Sequence, residues 1–214
     1  MSLYFAKSLV ATLPKGLPGL FNPWSDVCEF DTVENGVQAK IIRLAAHLDA
    51  KPDFILCGEA PGYQGCRHTG IAFTSEYLVL NGSIPRLPPE SNRLTLKERP
   101  LKEPSATMVW DVLRAFNIAE RTLLWNALML HPHHPGQPRS NRSPTDQELD
   151  MGKASLALLK VRFPGAKIIA IGKKAEFILR SMGIPITGSV RHPANGGANQ
   201  FRYGFASILA NFKD

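Results

Sequence analysis

Cysteine is scarce in this chain: Cys28, Cys57 and Cys66 are the three in 214 residues. Three thiols cannot build the disulfide framework of a small secreted domain, and a reduced, cytoplasmic setting is the simplest expectation. Long hydrophobic runs are missing too. No stretch approaches the ~18–20 apolar residues of a bilayer span, so no membrane partner is expected. The first fourteen residues include Lys7 and lack a sustained apolar core, which argues against a signal peptide. There is no internal repeat and no dinucleotide-type G-x-G-x-x-G fingerprint, which disfavours a Rossmann cofactor site. Hydrophobic residues make up 44% and charged residues 20%, values of an ordinary globular protein rather than of a disordered one. The length suits one sizeable domain. We read residues 1–214 as that domain and as a monomer, with an N-terminal arm at 1–35 and loop insertions at 81–104 and 131–144.

What the chain has in excess is positive charge, +7 in all. Residues 1–107 hold 11 Lys+Arg against 11 Asp+Glu, and residues 108–214 hold 14 against 7, so the whole excess lies in the second half. An asymmetry of this kind points to a polyanion partner.

Short apolar runs alternate with helical patterns. Gly36–Leu48 carries a helical stripe of Ile41, Ile42, Leu44, Ala45 and Leu48. Phe54–Cys57, Thr122–Trp125 and Lys167–Ile171 read as strands buried on both faces, and Ile186–Val190 as a weak fourth. Helices are expected near Ser105–Asn117, from Thr145 to about Arg162 behind a capping box at Thr145–Glu148, over Ala175–Met182 and over Gln200–Phe212. The expected fold is α/β: a three-layer α/β/α arrangement around a central, mostly parallel four-stranded sheet. In such sheets ligands sit beyond the carboxyl ends of the strands. That rule selects Gly58-Glu59, Asn126, Gly172 and Arg191-His192.

Glu59 follows a buried strand and is flanked by glycines that let backbone N–H groups approach a ligand. Phe73, near a glycine loop, could stack on a base or simply fill the core. Asn126 offers a donor and an acceptor that match an imide edge, or it caps its loop. His192 could stabilise a developing anion. His131, His133 and His134 are interrupted by prolines and have no Cys or carboxylate at ligand spacing, so neither a metal nor any other cofactor is expected.

Taken in order, Gly58-Glu59-Ala60-Pro61-Gly62, Thr69-Gly70 with Phe73, Leu123-Leu124-Trp125-Asn126 and His192-Pro193 resemble the motifs of the uracil-DNA glycosylase superfamily. The opening motif is closest to the Gly-Glu-Ala-Pro-Gly version of its iron–sulfur family. The longer strings Gly58–Gly70 and His131–Arg142 resemble a less characterised bacterial branch, and the likeness spans about residues 53–212. The resemblance implies a monofunctional DNA glycosylase that removes a flipped-out deaminated base, uracil first, in base-excision repair. On that reading Glu59 and His192 are catalytic. Glu59 handles the attacking water and offsets the sugar's oxocarbenium charge; His192 stabilises the leaving base. Phe73 stacks on the base, Asn126 reads its O4 and N3–H edge, and the backbone of Gly58 and Ala60 meets O2. Arg139, Arg142, Lys173, Lys174, Arg191, Asn195 and Arg202 would contact DNA, chiefly its phosphates.

The sequence departs from the family pattern at several places. Ala60 stands where the strict uracil enzymes carry a catalytic Asp. Gly62 stands where they carry a bulky Tyr against the thymine methyl, with Tyr63 the neighbouring candidate for that barrier. Three cysteines do not match the four an iron–sulfur cluster needs, so no cluster is expected. The usual apolar wedge after the His-Pro motif is missing, with Asn195, Asn199 and Phe201 as candidates. Two other readings stay open: a catalytically inactive nucleic-acid-binding module on the same fold, and a hydrolase of free nucleosides or nucleotides.

Overall fold

A computed structural model describes residues 2–87 and 92–212. In chain order the elements are α1 (Ser2–Val10), β1 (Leu20–Phe21), α2 (Val37–Leu48), β2 (Phe54–Gly58), α3 (Cys66–Thr69), α4 (Glu76–Leu80) and α5 (Pro104–Ala115). There follow β3 (Thr122–Asn126), β4 (His131–Pro132), α6 (Asp146–Asp150), α7 (Lys153–Arg162), β5 (Lys167–Ile171), α8 (Lys173–Ser181), β6 (Gly188–Val190) and α9 (Ala198–Ala210). The main sheet has the order β3-β2-β5-β6, and every pairing in it is parallel.

Strand periodicity builds the layers. Successive side chains on a strand point to opposite faces. Ile55, Cys57, Leu123, Trp125, Ile168 and Ala170 therefore enter one core, packed by residues of α1, α2, α7 and α8. Phe54, Leu56, Leu124, Ile169 and Ile171 enter the other, with Val109, Trp110 and Leu113 of α5 and Phe201 and Phe205 of α9. This is the expected three-layer α/β/α arrangement. No helix among the described residues is long and apolar enough to cross a membrane.

The chain leaves β2 for β3 on one side and reaches β5 on the other. The crevice beyond the carboxyl ends of β2 and β5 is thus the topological switch point, where open α/β sheets bind ligands.

The structure refines the sequence expectations at several places. Residues 1–35, expected as an N-terminal arm, pack into the fold: Ala6 and Leu9 of α1 are fully buried in the core, and β1 pairs antiparallel with β4. Residues 131–144 accordingly open with a strand rather than being loop throughout. The helix expected from Thr145 to Arg162 has its capping box but is broken between α6 and α7. A Cβ on Gly152 would lie 1.8 Å from the Ala127 carbonyl oxygen, so the chain rests on that backbone and turns there. Finally, α1, α3 and α4 went unforeseen; α3 and α4 are too short for their periodicity to register. The loop expected at 81–104 ends at Glu103, before α5, and its residues 88–91 lie outside the described residues.

Candidate active site

A cleft of about 1150 Å³ opens at the switch point. Its walls include Glu59, Ala60 and Gly62 after β2, Lys173 at the start of α8, and Arg191 and His192 after β6. Parallel register sets Gly58 directly opposite Asn126. Asn126 and Phe73 are both buried and are not among the residues lining the cleft, which Glu59 and His192 reach directly.

Gly58 is where three of the candidate residues meet. A Cβ built on it would lie 2.5 Å from the Phe73 ring and 2.6 Å from Asn126 Oδ1. The Phe73 ring also lies 5.9 Å from the His192 ring, with the planes tilted by 32°. Phe73 itself holds φ at +49°, a left-handed conformation costly for an aromatic residue. It is fixed there by Trp110, whose Nε1–H donates to the Phe73 carbonyl at 2.9 Å. Stored backbone strain of this kind clusters at functional sites. Asn126 is buried; its backbone N–H points to Met129 Sδ at 3.3 Å. Among the described residues no group hydrogen-bonds its side-chain amide.

Burial holds the His192 imidazole below its ordinary pKa, so it is neutral at pH 7. The Ala194 N–H donates to its Nδ1 at 3.2 Å. A neutral imidazole that accepts at Nδ1 carries its proton on Nε2, which makes Nε2–H a donor. Gly172 (φ +93°) passes 3.7 Å from the His192 Cβ at the position of its own missing side chain.

The sequence did not single out Glu103. Its carboxyl fills the space that a side chain on Gly65 would need: a Cβ there would lie 1.6 Å from Oε2. Ser105 donates to Oε1 at 2.8 Å, and Oε2 is buried without a partner. Burial raises this carboxyl to about 7. Glu103 therefore joins Glu59 and Glu176 as an acidic group of the cleft wall. Nothing local in the sequence marks it, since it caps a helix some forty residues after the glycine turn it fills.

The fold is shared with SMUG2 of Pedobacter heparinus. The crystal structure of that wild-type protein matches with a TM-score of 0.63 over 97% of both chains, at 15% sequence identity. No protein-family profile matches this chain, and neither does any curated protein sequence.

The basic residues divide. Lys173, Arg191 and Asn195 line the cleft; Asn195 is exposed, with φ at +52°, and its carbonyl accepts from Arg191 Nη2 at 2.9 Å. Arg142 also lines the cleft, but its guanidinium is gripped by both Glu148 oxygens at 2.7 and 2.8 Å, and it also donates to the carbonyls of His133 and Gly19. Its fork is filled by a carboxylate and is not presented to a phosphate. Lys174 pairs with Asp146 at 3.2 Å, and Arg139 stacks 4.3 Å over Phe30. Arg202 is exposed on α9, 3.5 Å from Asn199 Oδ1. These last three stand outside the cleft lining.

Two further candidates fall away. Tyr63 does not wall the cleft. Its ring is buried edge-on to Phe30 and His68. Phe201 is fully buried in the core and cannot wedge into DNA.

His131 is occupied as well. Arg67 donates to its Nδ1 at 2.9 Å, and its Nε2 faces the Ser140 carbonyl at 3.0 Å and Asn141 Oδ1 at 3.1 Å. Three metal-type donors do meet elsewhere, at Cys28, Asp31 and His68. There the Lys40 ammonium already lies 2.5 Å from the Asp31 carboxylate. A dication would have to share that carboxylate with a buried cation, an arrangement the local field opposes.

Proposed function

We propose that this protein is a DNA glycosylase that hydrolyses the N-glycosidic bond of a flipped-out deaminated base, with uracil as the first substrate. The observation that carries the reading is the meeting of Phe73 and Asn126 at the bare backbone of Gly58, with the His192 ring 5.9 Å from that of Phe73 and with His192 and Glu59 both on the cleft wall. The fold it shares with SMUG2, a member of the uracil-DNA glycosylase superfamily, supports it.

The chemistry asks for charge of opposite sign at two points. As the bond breaks, the sugar becomes cationic and the base anionic. Glu59 lies on the sugar side, where it positions water and offsets the cation. His192 lies on the base side and donates Nε2–H to the leaving anion. A neutral imidazole stabilises that anion through the hydrogen bond alone and keeps its Nε2 proton. The Asn126 amide reads the imide edge, the 58–60 backbone meets O2, and Phe73 stacks on the ring. Lys173 and Arg191 contact phosphates, which position the duplex without choosing the base.

The test incubates the protein with oligonucleotides carrying one uracil, hypoxanthine or xanthine, in single and double strands, followed by alkaline cleavage. Abasic sites in uracil DNA are expected. Intact bonds on every substrate would overturn the reading. Salt-sensitive binding to uracil DNA without cleavage would identify a binding module instead, a reading favoured by Ala60 in place of an acidic residue. Hydrolysis of free nucleosides uncontested by DNA would identify the small-molecule enzyme.

A further inference from the structure

Away from the cleft, three segments bring a second set of reactive groups together. The Cys28 sulfur, an Asp31 carboxylate oxygen and a His68 ring nitrogen all lie within 4.8 Å of one another. His68 Nδ1 is 2.5 Å from Asp31 Oδ1, and Lys40 Nζ is 2.5 Å from Asp31 Oδ2. Asp31 thus orients His68 as the third member of a Cys–His–Asp arrangement, the geometry of an activated thiol.

The other charged and titratable groups around the sulfur are Arg67, which sits beside His68 on α3, and Tyr63 with Arg139 near its ring. His68 Nε2 and the Tyr63 hydroxyl are buried donors without an acceptor at bonding distance. The His68 ring lies beside the sulfur, within reach of a charge interaction that a thiolate makes and a neutral thiol does not.

We propose that Cys28 is a thiolate paired with the His68 imidazolium and is a modification site for soft electrophiles and peroxides. With an alkyl halide, the sulfur forms a bond to carbon and halide leaves. With hydrogen peroxide, the sulfur attacks one oxygen, the O–O bond breaks and hydroxide leaves. The sulfur is oxidised to sulfenic acid as the peroxide is reduced.

Further observations agree. Burial and Asp31 push the thiol up, but the His68 ring, the Phe30 backbone amide and Arg67 outweigh them and hold it below its ordinary value. His68 is raised in turn: burial opposes its charge, and Asp31 and Cys28 prevail. Cys57 and Cys66 are fully buried, and burial pushes Cys57 up to about 12 and Cys66 well above its usual value. Cys28 is 7% exposed and is flanked by exposed Val27 and Glu29, whereas Cys57 and Cys66 lie deeper.

The test alkylates the native full-length chain with iodoacetamide from pH 5 to 9 and follows each cysteine by peptide mass spectrometry. Cys28 is expected to react at pH 7 at least about tenfold faster than Cys57 and Cys66, with a midpoint below the ~8.5 of a free thiol. His68→Gln is expected to move that midpoint up and slow the reaction at pH 7 several-fold. An ordinary thiol midpoint for Cys28, or a rate no greater than that of the two buried cysteines, overturns the proposal. The wild-type profile decides this even if the variant fails to fold.

Discussion

A methyl group on Gly58 has nowhere to go: the Phe73 ring and Asn126 Oδ1 occupy its place at 2.5 and 2.6 Å. Gly58→Ala is therefore expected to displace both residues. Excision should fall at least tenfold, with a stability loss of about 1–3 kcal/mol from overpacking, read by oligonucleotide cleavage beside urea denaturation. Glu59 is different, because it projects into the cleft rather than into the core. Glu59→Ala should lower kcat by roughly 10²–10⁴-fold and leave the denaturation midpoint unchanged. An equal loss of stability would reassign it to structure. Asn126→Asp should weaken uracil excision and favour a base with an amino group at that edge. Unchanged uracil excision would remove Asn126 from the pocket. At this scale the sequence displayed the chemistry at strand ends, where a polar residue after a buried run is conspicuous. It hid Glu103, whose position depends on a contact across forty residues.

Among the elements, the segment 92–101 is organised by one side chain. The fully buried Glu76 carboxylate accepts from Arg93 Nε, the Leu94, Thr95 and Leu101 backbone N–H groups and the Thr95 hydroxyl, at 2.7 to 3.0 Å. Burial alone would raise its pKa, but Arg93 and these donors outweigh burial and hold it below the usual carboxylate range. Glu76→Ala would leave several buried donors unpaired and is expected to cost about 3 kcal/mol. Limited proteolysis should then cut within 92–101 before the rest of the chain unfolds. The loop 131–144 is likewise tied down, through β4 against β1 and through Asn141, whose Oδ1 accepts from the Tyr63 N–H at 2.8 Å. Both segments read as irregular in sequence because their order comes from partners far along the chain, which no local period records.

For the molecule as a whole, buried titratable groups set the pH range of stability. Burial, with Arg86 adding to it, holds His47 at about 3, and burial with Arg67 does the same for His131. Unfolded, each takes up a proton near pH 6.5. The unfolded chain therefore binds two protons, between pH 6.5 and 3, that the folded chain refuses, so their contribution is full above 6.5 and lost on acidification. Glu103 acts in the opposite sense. With its carboxyl at about 7, the folded chain keeps a proton that the unfolded chain releases near 4.5. Two protons against one leave a net loss of roughly 2 kcal/mol as pH falls from 6.5 to 4.5. Denaturant midpoints measured across that range should fall, and His47→Gln with His131→Gln should flatten or reverse the trend.

The sequence by itself determined the layered α/β fold, because strands buried on both faces must be continuous apolar runs and their covering helices must alternate with them. It also marked the strand-end residues that parallel register then set side by side. The tertiary structure decided which basic residues face the cleft, since a guanidinium such as Arg142 is available or spent only according to what lies against it. It likewise decided that Tyr63 turns inward and that Glu103 enters the cleft wall. It alone brought Cys28, Asp31 and His68 together, because contacts between distant segments are set by packing and not by local spacing.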